Sequence, residues 1–221
     1  MLELEGKEID LHLHAVGDWG TREILDALEM AAIRNNGPLG IQVTISHLET
    51  VDPADIPRFK KLGVHANFTP HWFGGTVFGA AGAMNLGPER ASRSQVVGEF
   101  IASGANVTLS SDTVTIDELY RADPFIGMQM SVTRQEFDAG PDSAVLNPPE
   151  ARLSVEEAIA AYTINGARQL GRQSQIGSIE IGKRADFLAL DGDPFETDTK
   201  EIYKLNPVLV AVDGEIVAKA D

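Results

Sequence analysis

The sequence predicts an α/β protein built on a parallel sheet, and three observations predict it. A short apolar or β-branched run followed by a helical pattern recurs four times through residue 137. Side chains that carry chemistry, His14, His47, His71 and Asp112, each fall at or just past the end of such a run. After residue 173 the pattern changes to short alternating segments separated by turns, a small β appendage.

The first unit is Leu11-His12-Leu13-His14-Ala15. Side chains two apart on a strand share a face, so His12 and His14 look the same way. Gly17 permits a sharp turn, and Asp18 is expected to cap a helix beginning near Trp19 or Gly20. Ile24, Ala27, Leu28 and Ala31 recur at helical spacing over residues 21–34, and Asn35-Asn36-Gly37-Pro38 stops the helix. Residues 41–47 are rich in β-branched side chains and end in His47. Asp52-Pro53 reads as a cap followed by proline at the first helical position, with Asp55 in the first turn and Gly63 at the end. Residues 64–69 make a third strand, with His65 inside it and His71-Trp72 just beyond. A Gly- and Ala-rich loop over residues 73–91 follows, long enough to face a substrate. Val96, Val97, Phe100 and Ile101 mark a helix closed by Gly104, and residues 106–112 form the fourth strand, ending in Asp112. Four such units in series imply right-handed crossovers and function at the carboxyl ends of the strands.

Beyond Asp112 a helix is expected over residues 124–137 and a polar loop over 138–152. Ser154 with Glu157 forms a capping box that opens a helix to Leu170. Residues 176–182 and 185–190 read as short strands, and 208–212 pairs with 215–218 across an Asp213-Gly214 turn.

Composition narrows the chemistry. The chain has 221 residues, 43% of them hydrophobic, and 18 Lys and Arg against 33 Asp and Glu give a net charge of −15. Such a surface repels phosphate backbones, which argues against a nucleic-acid partner. No eighteen-residue apolar run is present, so no membrane span is expected. The N-terminus is acidic where a signal peptide is basic, and a cytoplasmic location follows as an expectation. With no cysteine, disulfides and thiolate metal sites are excluded. Neither a G-x-S-x-G elbow nor a phosphate-binding glycine loop follows a strand. Two imidazoles and a carboxylate on neighbouring strand ends are ligands for a divalent metal such as zinc. A metal so held activates water and polarises a carbonyl, which points to hydrolysis of a small-molecule substrate.

These residues resemble the amidohydrolase superfamily, in its family 3 branch of N-substituted formamide deformylase-like enzymes. His12-Leu13-His14-Ala15-Val16-Gly17-Asp18 looks like the branch's fifth barrel strand, Ile45-Ser46-His47-Leu48-Glu49 its sixth and Leu109-Ser110-Ser111-Asp112 its eighth. Leu86-Gly87-Pro88-Glu89-Arg90, Thr133-Arg134, Leu153-Ser154-Val155-Glu156-Glu157-Ala158 and the run from Gly177 to Phe187 are also similar. The His-x-His pair also mimics the family's first strand; its Ala-Val-Gly-Asp continuation, with His47 and Asp112 following in order, favours the fifth. The resemblance implies the C-terminal half of a (β/α)8 TIM-like barrel, strands 5 to 8, over residues 1–172, and a partial β-sandwich over 173–221. It implies one or two divalent metals, most simply zinc, with His14 and His47 as ligands. Asp112 would touch a second metal or the attacking water as general base, His71 and Trp72 would face the substrate, and His12 would stand behind the ligands. The expected reaction is attack on an amide-like C–N bond, with side activity on esters. A half-barrel has open edges, so a second copy or a complementing N-terminal half is expected to cover them. The competing expectation is an inactive half-barrel that serves as an assembly or interaction module.

Overall fold

The protein is described by a computed structural model over residues 2–74, 84–140 and 142–220. A short helix α1 (Leu2–Glu5) precedes four strands, β1 (Leu11–Ala15), β2 (Val43–His47), β3 (Val64–Phe68) and β4 (Asn106–Leu109). They form one parallel sheet in chain order. The connections run through α2 (Asp18–Arg34), α3 (Ile56–Leu62), and α4 (Pro88–Ala91) with α5 (Val97–Ser103).

Pairing makes each cross-strand row chemically uniform. His12, Thr44, His65 and Asn106 lie in one row and His14, Ser46, Asn67 and Thr108 in another. Leu13, Ile45, Ala66 and Val107 form the apolar row between them. Residues in one row point to the same side and successive rows alternate, so the sheet has a polar face and an apolar face. The apolar face shares a buried core with Leu25 and Leu28 of α2, Ile56 and Phe59 of α3, and Val97 and Phe100 of α5. An open cavity of about 1030 Å³ lies over the polar face, bordered by His12, Asn67, Thr108, Ser110 and Gln169. Strands wound in sequence, with their crossover helices on one face, give the arc of a barrel.

After β4 come α6 (Pro124–Thr133), α7 (Val155–Tyr162) and α8 (Ile164–Gln169). The capping box at Ser154 forms in both directions: the Glu157 amide donates to Ser154 Oγ at 3.2 Å and the Ser154 amide to Glu157 Oε2 at 2.8 Å. The helix expected to reach Leu170 breaks at Thr163, whose φ of −122° and ψ of −96° leave the helical region. A second sheet is antiparallel, β5 (Phe187–Leu190), β6 (Pro207–Val212) and β7 (Glu215–Lys219). Asp213 and Gly214 both take positive φ, 54° and 83°, as the two-residue hairpin turn requires. Asp186 Oδ1 accepts from the Asp213 amide at 2.7 Å and Arg184 pairs with the Asp213 carboxylate, which pins the turn.

Several local expectations shift. Asp18 does not cap α2. Gly17 takes the cap position in extended conformation, while Asp18 sits in the first turn and pairs with Arg90 at 2.6 Å. The buried stripe of α2 is Thr21, Leu25, Leu28 and Ala31, so Ala27 faces outward. The helix expected at Asp52-Pro53 begins at Ile56, because Asp52 Oδ1 accepts from the Ala54 amide and holds a turn there. Asp55 turns inward and joins Arg22 and Arg58, with Arg58 also reaching Asp26 and Glu29 on α2. Residues 176–182 form turns, not a strand; Gly177 and Gly182 take φ near 92° and 93°, and the segment is outside both sheets. Of the expected substrate loop, residues 75–83 lie outside the described residues. Among the described residues no helix is long and apolar enough to cross a membrane.

Candidate functional site

At the carboxyl end of the sheet, β1 and β2 each deliver a histidine. Ala15 pairs with His47, and His14 pairs with Ser46. Strict alternation therefore sends His14 to the polar face and His47 toward the helices with Ile45. His47 breaks the alternation: it takes a left-handed φ of 76°, and Leu48 one of 53°. Its ring comes to lie 4.3 Å from that of His14, edge to face at 61°. A non-glycine residue in this region costs on the order of 1–3 kcal/mol and persists only when its surroundings hold it. Here the Leu48 amide donates to Ala15 O and the Thr50 amide to Val16 O, both at 3.0 Å.

The rest of the His47 environment comes from the segment just past β3. Trp72 stacks on the His47 ring at 4.7 Å and 18°. Thr69 Oγ1 lies 3.4 Å from His47 Nδ1. Burial pushes the His47 imidazole below its ordinary pKa and the charges of His14 and His12 add to this, while Asp112 opposes it. Sequence reasoning passed over Glu49, a half-buried carboxylic acid that burial pushes up and the charge of His14 pulls back down. Its signal was its place two residues after His47, inside a motif already singled out.

Asp112 lies past Leu109, where β4 ends, and is itself left-handed at φ 50° and exposed. Adjacent strands are about 4.8 Å apart, so β1 and β4 stand roughly 14 Å apart before curvature is counted. The structure thus pairs His14 with His47, and Asp112 enters through its electrostatic effect on His47. Among the described residues no three His, Cys, Asp or Glu side chains gather closely enough to hold a metal ion, so the expected three-ligand set is not assembled.

The remaining histidines differ sharply. His12 Nε2 is 2.7 Å from Ser46 Oγ, behind the pair. His65 is fully used inside the sheet: Asn106 Nδ2 donates to its Nδ1 at 2.9 Å, which leaves Nε2 to donate to Gln42 Oε1 at 2.8 Å. His71 is buried with neither ring nitrogen partnered. Arg134, at the end of α6, is completely buried and donates to the carbonyls of Leu146, Gln95, Ser94 and Asn147. It also lies over the Phe73 ring at 5.4 Å, and burial, with Arg152 nearby, lowers its pKa to about 10.

The model of the amidohydrolase family, in its family 3 branch, matches residues 3–218. This chain belongs to that family. The chain is 31% identical over 213 residues to N-substituted formamide deformylase of Arthrobacter pascens, covering 93% of this chain and 36% of that protein. It is 27% identical over 213 residues to the putative amidohydrolase YtcJ of Bacillus subtilis (strain 168), covering 96% of this chain and 38% of that one. Among solved structures, an uncharacterized metal-dependent hydrolase from Pyrococcus furiosus superposes with a TM-score of 0.64 at 26% identity, over 85% of this chain and 34% of that one. The chain therefore spans well under half the length of each of these three proteins.

Proposed function

We propose that this chain carries strands 5 to 8 of a metal-dependent amidohydrolase barrel and the carboxyl-end residues of its hydrolytic site, acting on an amide-like C–N bond. The observation that carries the reading is the His14–His47 pair at adjacent strand ends, held by a strained backbone and walled by Trp72. The donor chemistry fits zinc in kind, two imidazole nitrogens with carboxylates nearby, although the described residues give only part of a coordination set. The relationship to a formamide deformylase and to a metal-dependent hydrolase supports both the bond class and the ion.

His14 and His47 would hold the ion, which supplies Lewis acidity to a carbonyl when bound. His47 is suited to this because its lowered pKa keeps the imidazole neutral, the form that ligates. Asp112 would take the proton of the attacking water, and its exposed position lets it pass that proton to solvent. Trp72 would close one side of the reacting group and keep water from it. An ester carbonyl is open to the same attack, so ester side activity belongs to this reading.

The bare edge of β1 favours a second reading beside the first, in which the arc needs further strands from a second copy or from a complementing N-terminal half, and works as an assembly module. One experiment separates them. The chelator-treated chain is titrated with zinc by calorimetry, then assayed on N-substituted formamides and matched esters, with sedimentation run in parallel. Zinc uptake that drops about tenfold or more in His47→Ala, with formamide hydrolysis lost, supports the hydrolase. Self-association with no zinc uptake supports the module instead.

A further inference from the structure

The His14–His47 pair is one ligand short of a zinc site. The two rings meet at 4.3 Å, yet among the described residues no third His, Cys, Asp or Glu joins them. Zinc sites take at least three protein ligands. His12 lies on the same face of β1 as His14 and is exposed. Ser46 Oγ donates to Leu13 O at 3.3 Å, so it accepts from His12 Nε2–H at 2.7 Å. That fixes the tautomer and leaves Nδ1 of His12 with its lone pair, the ligating form of an imidazole.

The edge of β1 offers a place for a third ligand from outside the chain. The Leu11 amide donates to Gln42 O and Ala15 O accepts from the Leu48 amide. Residues 11, 13 and 15 therefore direct their peptide groups at β2, and those of His12 and His14 face outward. The opposite edge is closed, because Asn165 Nδ2 of α8 donates to Val107 O at 3.0 Å and Asn106 Nδ2 donates to Asn165 O. Two copies therefore cannot join β1 to β4 head to tail, and β1 is left to meet β1.

A two-fold axis normal to the sheet sets the two β1 strands antiparallel and keeps both polar faces on one side. Centred on Leu13, it makes His12 and the partner's His14 a hydrogen-bonded pair that exchanges both N–H···O=C bonds. This register uses every outward peptide group of β1. A centre at His14 needs Val16 O, which already accepts from the Thr50 amide, and a centre at His12 needs Asp10, before the strand begins. The half-buried Leu13 then meets its own copy on the apolar face. Directly opposite residues hold their Cβ atoms about 4.5–5.5 Å apart, so the partner's His12 stands beside His14, on the side away from His47.

We infer that two copies of this chain pair through β1, and that the partner's His12 completes a three-imidazole zinc site with His14 and His47 on each side of the axis. This rests on the proposed function for His14 and His47 as ligands, and it names the partner that covers the bare edge. Each copy carries a net charge of −15, which opposes association until the cations are bound. The dimer is therefore zinc-dependent.

The test follows the full chain by sedimentation in chelator and in zinc, with bound zinc counted and amide exchange measured at His12 and His14. The expected result is a monomer in chelator and a dimer in zinc with about one ion per chain. In the dimer the His12 and His14 amides exchange about tenfold or more slowly. His12→Ala and His14→Ala each weaken zinc uptake and dimerisation about tenfold or more. Mixing the two variants restores a dimer with about half the zinc of the unmutated protein, because His12 of one variant reaches the intact His14–His47 pair of the other. Zinc held by the monomer, undiminished zinc uptake in His12→Ala, a mixture no better than its parts, or no zinc uptake at all overturns the inference. Of these, only the absence of zinc uptake also removes the hydrolase reading. A complementing zinc dimer that cleaves neither formamides nor esters keeps the inference and removes that reading alone.

Discussion

The two edges of the four-stranded sheet are finished in opposite ways. At β4 the peptide of Ser110 bonds back to Phe68, so the carbonyl of Val107 faces outward, and Asn165 Nδ2 of α8 donates to it at 3.0 Å. Asn106 Nδ2 answers by donating to Asn165 O, and Thr108 Oγ1 donates to Gln169 Oε1. Helix α8 thus stands where a neighbouring strand would be. At β1 the Leu11 amide donates to Gln42 O, and Ala15 O accepts from Leu48. In a parallel ladder the peptides of His12 and His14 then face away from the sheet, and both side chains are exposed. Order is concentrated on the β4 side and the candidate chemistry on the bare one.

The largest effect expected from this contrast is at Arg134. Its guanidinium gathers the carbonyls of residues 94, 95, 146 and 147, the loops that close the covered side. Arg134→Met takes the guanidinium donors from all four carbonyls, of which Gln95 O keeps the Val97 amide. Urea denaturation should show a loss of about 3–5 kcal/mol, only partly restored by Arg134→Lys, which cannot fork. A loss below about 1 kcal/mol would place the stability elsewhere and break the comparison.

A smaller effect is expected at the capped edge itself. Asn165→Ala removes the side-chain hydrogen bond that Val107 O accepts on that side. The cost should be about 1–2 kcal/mol, measured by the same denaturation. Hydrogen exchange of the outward-facing amide of Leu109 should quicken more than that of Ser110, which is bonded inward to Phe68. Equal quickening of both would mean that the whole strand, and not its edge, depends on α8.

How much of this was legible follows the same divide. The parallel sheet was readable because strand-like runs and helical patterns follow one another along the chain, and strands joined by helical crossovers run parallel. The capping box at Ser154 and the Asp213-Gly214 turn were readable because their partners lie within three residues. His47 was legible as a strand-end histidine but not in its direction, since the left-handed turn that swings it toward His14 is fixed by bonds from β1. Arg134 was visible only as part of a motif, because its acceptors are backbone carbonyls from two distant loops and backbone carries no residue signature. Residues 176–182 alternate like a strand, yet alternation does not supply a neighbour to pair with.

The smallest effect on stability is expected on the bare edge. His14 is exposed and meets the His47 ring edge to face, so His14→Ala should change the unfolding free energy by no more than about 0.5 kcal/mol. Amide exchange should report the same edge: His12 and His14 exchange fast, while Leu13 between them, directed at β2, stays protected. If His14→Ala instead costs as much as Asn165→Ala, or if the His14 amide is protected, then β1 is covered in solution. The partner that covers it would stand where the two imidazoles now meet solvent, and the mutation would be reporting that contact and not the sheet.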